Sequence, residues 1–538
     1  MFRYLLLVPI ILLLSFTALN AKDQEPVKLI IIHLDGVSSD ELFSEMRKGN
    51  LPELEAYFSK GGKIENTLTY YPTKTPHVMN SIRSATKVRD TELVGWLSTH
   101  QIDSVETVPN QPFLQMAASA SRIAQTNLVY GAPLLDRFAA PALNNLVDMI
   151  PIYNVMEFYW FATDTYGHLW GEDALIRKLH QFDRHFGRFA RQLDENMNIV
   201  IYADHGMSYD KGVNMADEIS AITGELLNEY SFPDLYITNR DSIDVIARRV
   251  LAETAVDFTF YRVDEFTVRG FFGNSVLEFK EERGRVRYTV QGDDPFSYYD
   301  NGYDGAFLSE NDWISFTNTF EYPMAPFIIS EYLKNPLSGD ILTALSSGTY
   351  YQTFYSRSGN HGSFGRNELV VPLLIRGPLF EHLYDRTYLQ LENLFDEVPN
   401  IDFDQKPVRD THYLISRYNP DNISSVTLFA FSPEYRWRFG MEIAHTGFES
   451  VDYTQMWGGY DVFRSYLTRL WFTAGVDFRD ERARPVVGIQ HEYRLRRLEL
   501  FSNLTTAGNH SFTISFTATD YLKLQFANFN SGGVRIDF

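Results

Sequence analysis

The run KLIIIHLDG, Lys28 to Gly36, decides the fold. Leu29 to Ile32 is an unbroken apolar stretch, mostly β-branched. A strand that is apolar on both faces is buried on both, as a parallel strand is between two layers of helix. It ends at Asp35-Gly36, an acid followed by a turn residue. Three more runs repeat the pattern. Asn154 to Ala162 (NVMEFYWFA) leads into Thr163-Asp164-Thr165, Asn198 to Ala203 (NIVIYA) leads into Asp204-His205-Gly206, and Leu369 to Ile375 (LVVPLLI) follows His361-Gly362. Ala174 to Leu193 is helical by spacing, with Leu175, Leu179, Phe182, Phe186, Phe189 and Leu193 as its core stripe and Asp183 and Arg184 on its solvated face. Strands alternating with helices predict an α/β fold: a mostly parallel sheet flanked by helices, with ligands outside the carboxyl ends of its strands.

Five polar clusters follow these elements in order: Asp35, Thr73-Lys74-Thr75, Asp164 to His168 (DTYGH), Asp204-His205-Gly206 and Asn360-His361-Gly362. One alone says little, since a strand-end Asp is also an ordinary helix cap. Together they supply three carboxylates and three imidazoles, the oxygen and nitrogen donors that zinc or a similar divalent ion takes. A hydroxyl among them becomes a nucleophile by coordination, and a pair of ions can hold the attacking and leaving oxygens of an in-line displacement.

The ordered set resembles the alkaline phosphatase superfamily, most closely its nucleotide pyrophosphatase/phosphodiesterase branch. IIIHLDGV is similar to that branch's first metal strand, YPTKTPHVMNSI to its nucleophile segment, and DTYGH, IVIYADHGM and NHGSFGRNELVVPLLIRGP to its remaining metal elements. The resemblance spans roughly residues 28 to 380. It implies an alkaline-phosphatase-like fold and two divalent ions, zinc expected and manganese also suited to such a site. One ion would be held by Asp164, His168 and His361, the other by Asp35, Asp204 and His205, with Thr75 bridging toward the second ion and attacking phosphorus. Two features depart from the family. Thr75-Pro76-His77-Val78 lacks the usual Thr-x-Pro-Asn order, and the place of a downstream Asn falls at Leu93-Val94-Gly95-Trp96, which has none. These departures imply no strong preference for nucleotides over simple aryl diesters.

Several residues carry two readings. Thr73 is the rival nucleophile. Lys74 and His77 either touch a phosphate oxygen or line the surface. His33, inside the first strand, reads as a core histidine rather than a ligand. Asp293-Asp294 and Asp300 to Asp304 read as an acidic surface loop before they read as a calcium site.

The chain has 538 residues and 62.1 kDa, enough for more than one domain. Its net charge of −21 makes it a poor partner for polyanions, so no nucleic acid polymer is expected. Cysteine is absent, which excludes disulfides, thiolate catalysis and thioether-linked lipid anchors. Arg3, the apolar run Leu5 to Leu14 and a small residue at Ala21 describe a secretory signal peptide, residues 1–21; the other reading is a retained anchor. Export without cysteine suits the bacterial envelope, periplasm or outer membrane. A hydrolase domain is expected over 22–410, with a cap insertion over about 209–345 that includes a hairpin turning at Glu282-Arg283-Gly284, and a C-terminal all-β domain over 411–538.

From about residue 424 the apolar period becomes two, giving about eight strands. Trp437, Phe439 and Met441 share one face, Arg438 and Glu442 the other; Phe472, Val476 and Phe478 oppose Asp477, and Leu524 and Phe526 oppose Lys523 and Gln525. Apolar-out, polar-in strands describe a small outer-membrane β-barrel, and a terminal Phe538 in phase with Val534 and Ile536 looks like the closing strand of one. A soluble β-sandwich is the alternative. The functional expectation is an exported two-metal phosphodiesterase or nucleotide pyrophosphatase acting on a small-molecule or lipid-linked phosphoester. The competing readings are a phosphomonoesterase, sulfatase or phosphonate hydrolase of the same superfamily, a non-catalytic envelope binding protein, and a membrane protein whose barrel is its main function.

Overall fold

A computed structural model describes residues 27–538 except 85–96, 102–103, 108–125, 131–142, 145, 148–149, 151–153, 215–217, 220–226, 238–239, 337, 354, 395–412, 420–423, 435–436, 447–449, 465–467, 480–481, 496–497, 509, 520–521, 529 and 538. The signal-peptide segment, the Leu93 to Trp96 position and Phe538 lie outside the described residues.

The N-terminal region is built on a seven-stranded sheet. In chain order its strands are β1 (Leu29–Leu34), β2 (Gly62–Leu68), β3 (Thr126–Tyr130), β4 (Val155–Trp160), β5 (Asn198–Tyr202), β6 (Val370–Arg376) and β7 (Tyr388–Gln390). Their order across the sheet is β7-β2-β6-β5-β1-β4-β3. β1 pairs in parallel with both β4 and β5, so its run of Leu and Ile is covered on both faces and wholly buried. β6 alone runs antiparallel to its neighbours. The helices are α1 (Ser39–Arg47), α2 (Pro52–Phe58), α3 (Thr75–Ser84), α4 (Ala162–Trp170) and α5 (Glu172–Ala190). In α5 the expected stripe of Phe182, Phe186 and Phe189 is buried against the sheet. Asp183 is not on the solvated face, as the sequence reading had it. It is buried, and its carboxylate accepts the backbone N–H groups of Glu53 (3.3 Å) and Leu54 (2.8 Å). Asp183 therefore caps α2, whose own flanking residue, Leu51, has no side-chain acceptor to offer.

A second seven-stranded sheet, antiparallel throughout, is formed by strands between Leu227 and Ala344. Its expected hairpin pairs Ser275–Glu282 with Arg285–Gln291. The turn residues Arg283 and Gly284 both take positive φ (54° and 73°), the conformation of a tight hairpin turn with the twist of its strands. The acidic loop that follows is tied to itself: Asp294 accepts the N–H groups of Phe296 and Tyr299 and the Tyr288 hydroxyl. An aromatic core on this sheet takes in Tyr71 and Phe364, so it reaches the segments that carry Thr75 and His361.

The C-terminal strands form a closed antiparallel barrel, not a sandwich. Ten strands run from Tyr413–Asn419 to Ser531–Asp537, and the first pairs with the last, Tyr413 opposite Asp537. The expectation of about eight strands from residue 424 is corrected to ten from 413. Tyr413–Asn419 reads as a polar boundary because Arg417 and Asn419 fall in it, yet both are buried. The apolar face is outside: Phe472, Val487, Leu504 and Leu524 are each more than half exposed, whereas Arg438, Asp477, Glu492 and Glu499 are buried.

Candidate active site and metal centre

Strand direction gathers the polar clusters at one edge. β1, β4 and β5 are parallel, so Asp35, Asp164 and Asp204 leave the sheet on the same side. β6 runs the other way, so His361, which precedes it, arrives at that edge too. Thr75 is the first residue of α3, just beyond the end of β2. Gly36 makes the packing of the first two elements work. It takes φ +70°, and a Cβ there would lie 3.0 Å from Asp164.

Two clusters of ligand atoms result, each with all members within 4.8 Å of one another: Asp164, His205 and His361, and Asp35, Asp204 and His205. His205 belongs to both, and its ring stacks on that of His361 at 3.6 Å. His168 reaches the first cluster through Asp164, one helical turn before it in α4, with Nε2 3.1 Å from Oδ1. The structure thus brings together all the residues singled out in sequence and adds one feature, a histidine common to the two halves.

The imidazoles are oriented by the backbone. His168 Nδ1 donates to Gly359 O (2.8 Å), His361 Nδ1 to Thr73 O (2.5 Å) and His205 Nδ1 to Gly206 O (3.0 Å). A carbonyl can only accept, so the proton sits on Nδ1 and each Nε2 faces the carboxylates. His33 is a core histidine, as expected. It is buried between the rings of Tyr159 and Tyr202, with Nε2 3.1 Å from Asp204 Oδ1, and it orients that carboxylate.

This edge is short of positive charge. Asp35 Oδ1, Asp164 Oδ1 and Asp204 Oδ2 are buried without a hydrogen-bond partner. Burial, and then the charges of Asp204 and Asp164, push the Asp35 carboxyl well above the usual range. Burial acts the same way on the other two, but His168, His361 and His205 together outweigh it at Asp164, and His205 with His33 and Asp35 at Asp204, holding both below that range. Burial and the neighbouring His205 push His361 well below an ordinary imidazole. Orphaned carboxylate oxygens beside imidazole Nε2 atoms are the donor set of a divalent cation, so the residues fit the pair of ions that the resemblance implies.

Thr75 Oγ1 lies 2.9 Å from His205 Nε2 and faces this edge. Its rival does not: Thr73 Oγ1 donates to Ser363 O (2.8 Å) and accepts from the Gly362 N–H (2.9 Å), fully buried. Lys74 and His77 are also buried rather than lining the surface. Burial pushes Lys74 down to about 8, with the Asp234 carboxylate opposing. His77 Nε2 donates to Tyr71 O at 3.0 Å.

Two contributors were not foreseen. The Tyr159 hydroxyl donates to Asp35 Oδ2. Glu368, buried just ahead of β6, accepts from the N–H groups of Gly362 (2.7 Å) and Ser363 (2.6 Å) and from the Ser208 hydroxyl (2.7 Å), and shares with Ser363 O the single proton of the Thr73 hydroxyl (3.1 Å). One carboxylate thus ties together the segments that carry Thr75, His205 and His361. The only hint in sequence is an acid placed directly against a buried strand.

A mostly parallel sheet that collects Asp and His from successive strands beside a hydroxyl is an alkaline-phosphatase-like architecture. Residues 131–249 match the family model of type I phosphodiesterase / nucleotide pyrophosphatase, a stretch that contains Asp164, His168, Asp204 and His205. Over that stretch the chain is similar to the type I phosphodiesterase / nucleotide pyrophosphatase family, the branch its motifs resemble. Among solved structures, an inactive variant of murine ectonucleotide pyrophosphatase / phosphodiesterase 5, in complex with AMP, is similar over 68% of this chain and 90% of that chain, at 14% identity and a TM-score of 0.39. No curated protein matches the sequence.

Proposed function

We propose that this chain is an exported, two-metal phosphodiester hydrolase with Thr75 as its nucleophile. The observation that carries the reading is the set of three buried carboxylate oxygens without partners, facing imidazole Nε2 atoms beside the Thr75 hydroxyl. Asp164, His361, His205 and His168 would hold one ion; Asp35, Asp204 and the shared His205 would hold the other, with Thr75 beside it. Divalent ions, zinc first among them, supply Lewis-acid charge to the oxygens of the phosphoester. The rest is the work of the chain. Thr75 sits at the positive end of α3, which favours its deprotonated oxygen. That oxygen attacks phosphorus as the bond to the leaving alcohol breaks, and the alcohol departs with a proton. Water then hydrolyses the threonine-bound phosphoester and restores the Thr75 hydroxyl. Glu368 and the backbone carbonyls hold the loops and rings in place, so that little reorganisation accompanies the reaction.

The substrate is a small-molecule or lipid-linked phosphodiester, with simple aryl diesters accepted as well as nucleotides. The cell envelope is the proposed location, with the barrel inserted in an outer membrane. Its outward apolar side chains and inward charges support that placement. Among the described residues no helix is long and apolar enough to cross a membrane, a statement that leaves strands aside. The test is a panel of aryl diesters, aryl monoesters and sulfate esters, run with metal analysis. We expect close to two divalent ions per chain, highest turnover on diesters and loss of activity in chelator. Full activity in a metal-free preparation would sink the mechanism, and a preference for monoesters or sulfates would reassign the substrate within the superfamily.

A further inference from the structure

We propose that the ten-stranded barrel is a sealed anchor that conducts neither ions nor solutes; the inference rests on the membrane placement proposed above. A barrel of this strand number stands near the size at which side chains can fill the interior, well short of the wide barrels that keep an aqueous channel. Whether it is a pore therefore depends on what its inward positions carry, and here they carry two kinds of obstruction.

The first is apolar. Tyr413, Ile415, Leu428, Ala430 and Trp457 form a buried cluster on the inward face, where a water column would be least welcome. The second is ionic. The Arg438 guanidinium lies 3.9 Å from the centre of the Trp471 ring and 3.5 Å from Glu492, and all three residues are at most 3% exposed. On neighbouring strands Glu499 pairs with Lys523 (2.5 Å) and Arg535 (2.6 Å). Charged side chains lining a water-filled lumen would be solvated, as each gains by hydration. Exposures of 1% for Glu492, 2% for Arg438 and 3% for Glu499 keep these groups off any continuous water-accessible lumen. The Arg438 Nε and Nη1 atoms, which have no hydrogen-bond partner among the described residues, leave room at most for isolated buried water. Opening a path would mean separating these pairs and moving two tryptophans together.

The barrel so described serves the hydrolase rather than transport. It holds the catalytic domain at the membrane, and substrate and product stay on the side where that domain lies. A sealed barrel of this kind would not itself be the protein's main function, and a permeation test separates the two readings.

The test uses the full chain reconstituted into vesicles of phosphatidylethanolamine and phosphatidylglycerol. Flotation and resistance to carbonate extraction report insertion; vesicle swelling in small sugars and planar-bilayer conductance report permeation. We expect insertion with no permeation above protein-free membranes. The combined variant Glu499→Ala/Lys523→Ala/Arg535→Ala, and separately Arg438→Ala/Trp471→Ala in case the first fails to assemble, should insert and raise conductance at least several-fold. Wild-type protein that inserts and conducts overturns the seal while leaving the membrane reading intact. Protein that does not float overturns the membrane reading and the seal with it. Inserted variants that both stay silent overturn the assignment of the seal to these side chains.

Discussion

The catalytic edge and the barrel interior both bury charge, and they resolve it in opposite ways. At the edge, Asp35, Asp164 and Asp204 converge with imidazoles as their only basic neighbours among the described residues, and three carboxylate oxygens go without a hydrogen-bond partner. In the barrel, acids alternate with bases: Glu499 lies between Lys523 and Arg535, and Arg535 reaches Asp537 at 2.6 Å as well. A buried ion pair closes its own electrostatic account, whereas a cluster of like charges is complete only when something positive is added. Burial of acids is therefore not in itself a functional sign. The sign is burial of like charge with ligand atoms left over, on side chains oriented by hydrogen bonds from behind.

The largest effect expected from this contrast is at Thr75. Thr75→Ala should reduce turnover by about 10³-fold or more, because it removes the nucleophile itself. Metal content should hold near the wild-type value, since the carboxylates and imidazoles stay. Thr73→Ala should leave much more activity, as that hydroxyl is spent on Ser363 and Gly362. Steady-state kinetics with metal analysis on both variants checks this. A larger loss at Thr73 than at Thr75 would move the nucleophile by two positions.

Next come two substitutions of opposite sign. Glu499→Gln takes from Lys523 and Arg535 the acid they share, leaving them Asp537 at 3.4 Å and 2.6 Å, and should destabilise the barrel by about 3 kcal/mol, the cost of leaving buried charge under-compensated. Asp35→Asn does the reverse in chelator. The folded protein holds the Asp35 carboxyl well above its usual range, so a neutral amide at that place should stabilise the metal-free protein by about 1 kcal/mol. With metal restored, the same variant should bind less of it and lose most activity. Thermal unfolding of the full chain in detergent, with and without chelator, reads both. Equal signs in chelator would mean that edge and interior do not differ as described.

How much of this was legible beforehand follows from where the information lies. Buried strands β1, β4, β5 and β6 announce themselves as apolar runs, and because the candidate ligands lie at strand ends, Asp35, Asp164, Asp204, His205 and His361 could be named from sequence. The direction of β6 could not, since a strand buried on both faces reads the same either way. Nor could Asp183 or Glu368, whose partners lie far off in the chain: the Leu54 N–H is 129 residues from Asp183, and the Thr73 hydroxyl 295 from Glu368. The strand Tyr413–Asn419 was missed for a related reason. Arg417 is polar because it faces the barrel interior, where it donates to Thr513, and polarity beside Pro420 reads as a linker.

Glu41 offers a third way to settle a buried acid. It closes the capping box of α1, accepting from the Ser38 N–H (2.7 Å) and hydroxyl (2.8 Å), but Oε1 is buried without a partner. Among the described residues its neighbours are the Ser38 and Tyr209 hydroxyls and the Glu172 carboxylate, with no histidine or base. Burial pushes it from an ordinary 4.5 up to about 7, with Ser38 opposing. It takes a proton instead. A folded-state value raised in this way contributes stability that is fully present below about pH 4.5 and is lost as pH rises through about 7. Glu41→Gln keeps an acceptor for Ser38 and stays neutral at every pH, so it should remove that decline. Measured in chelator, the variant's stability relative to wild type should rise by about 2 to 3 kcal/mol between pH 5 and pH 8, with every other titrating group common to both proteins. A difference that stays flat across that range would mean that Glu41 is ionised throughout, and that a partner for Oε1 has been overlooked.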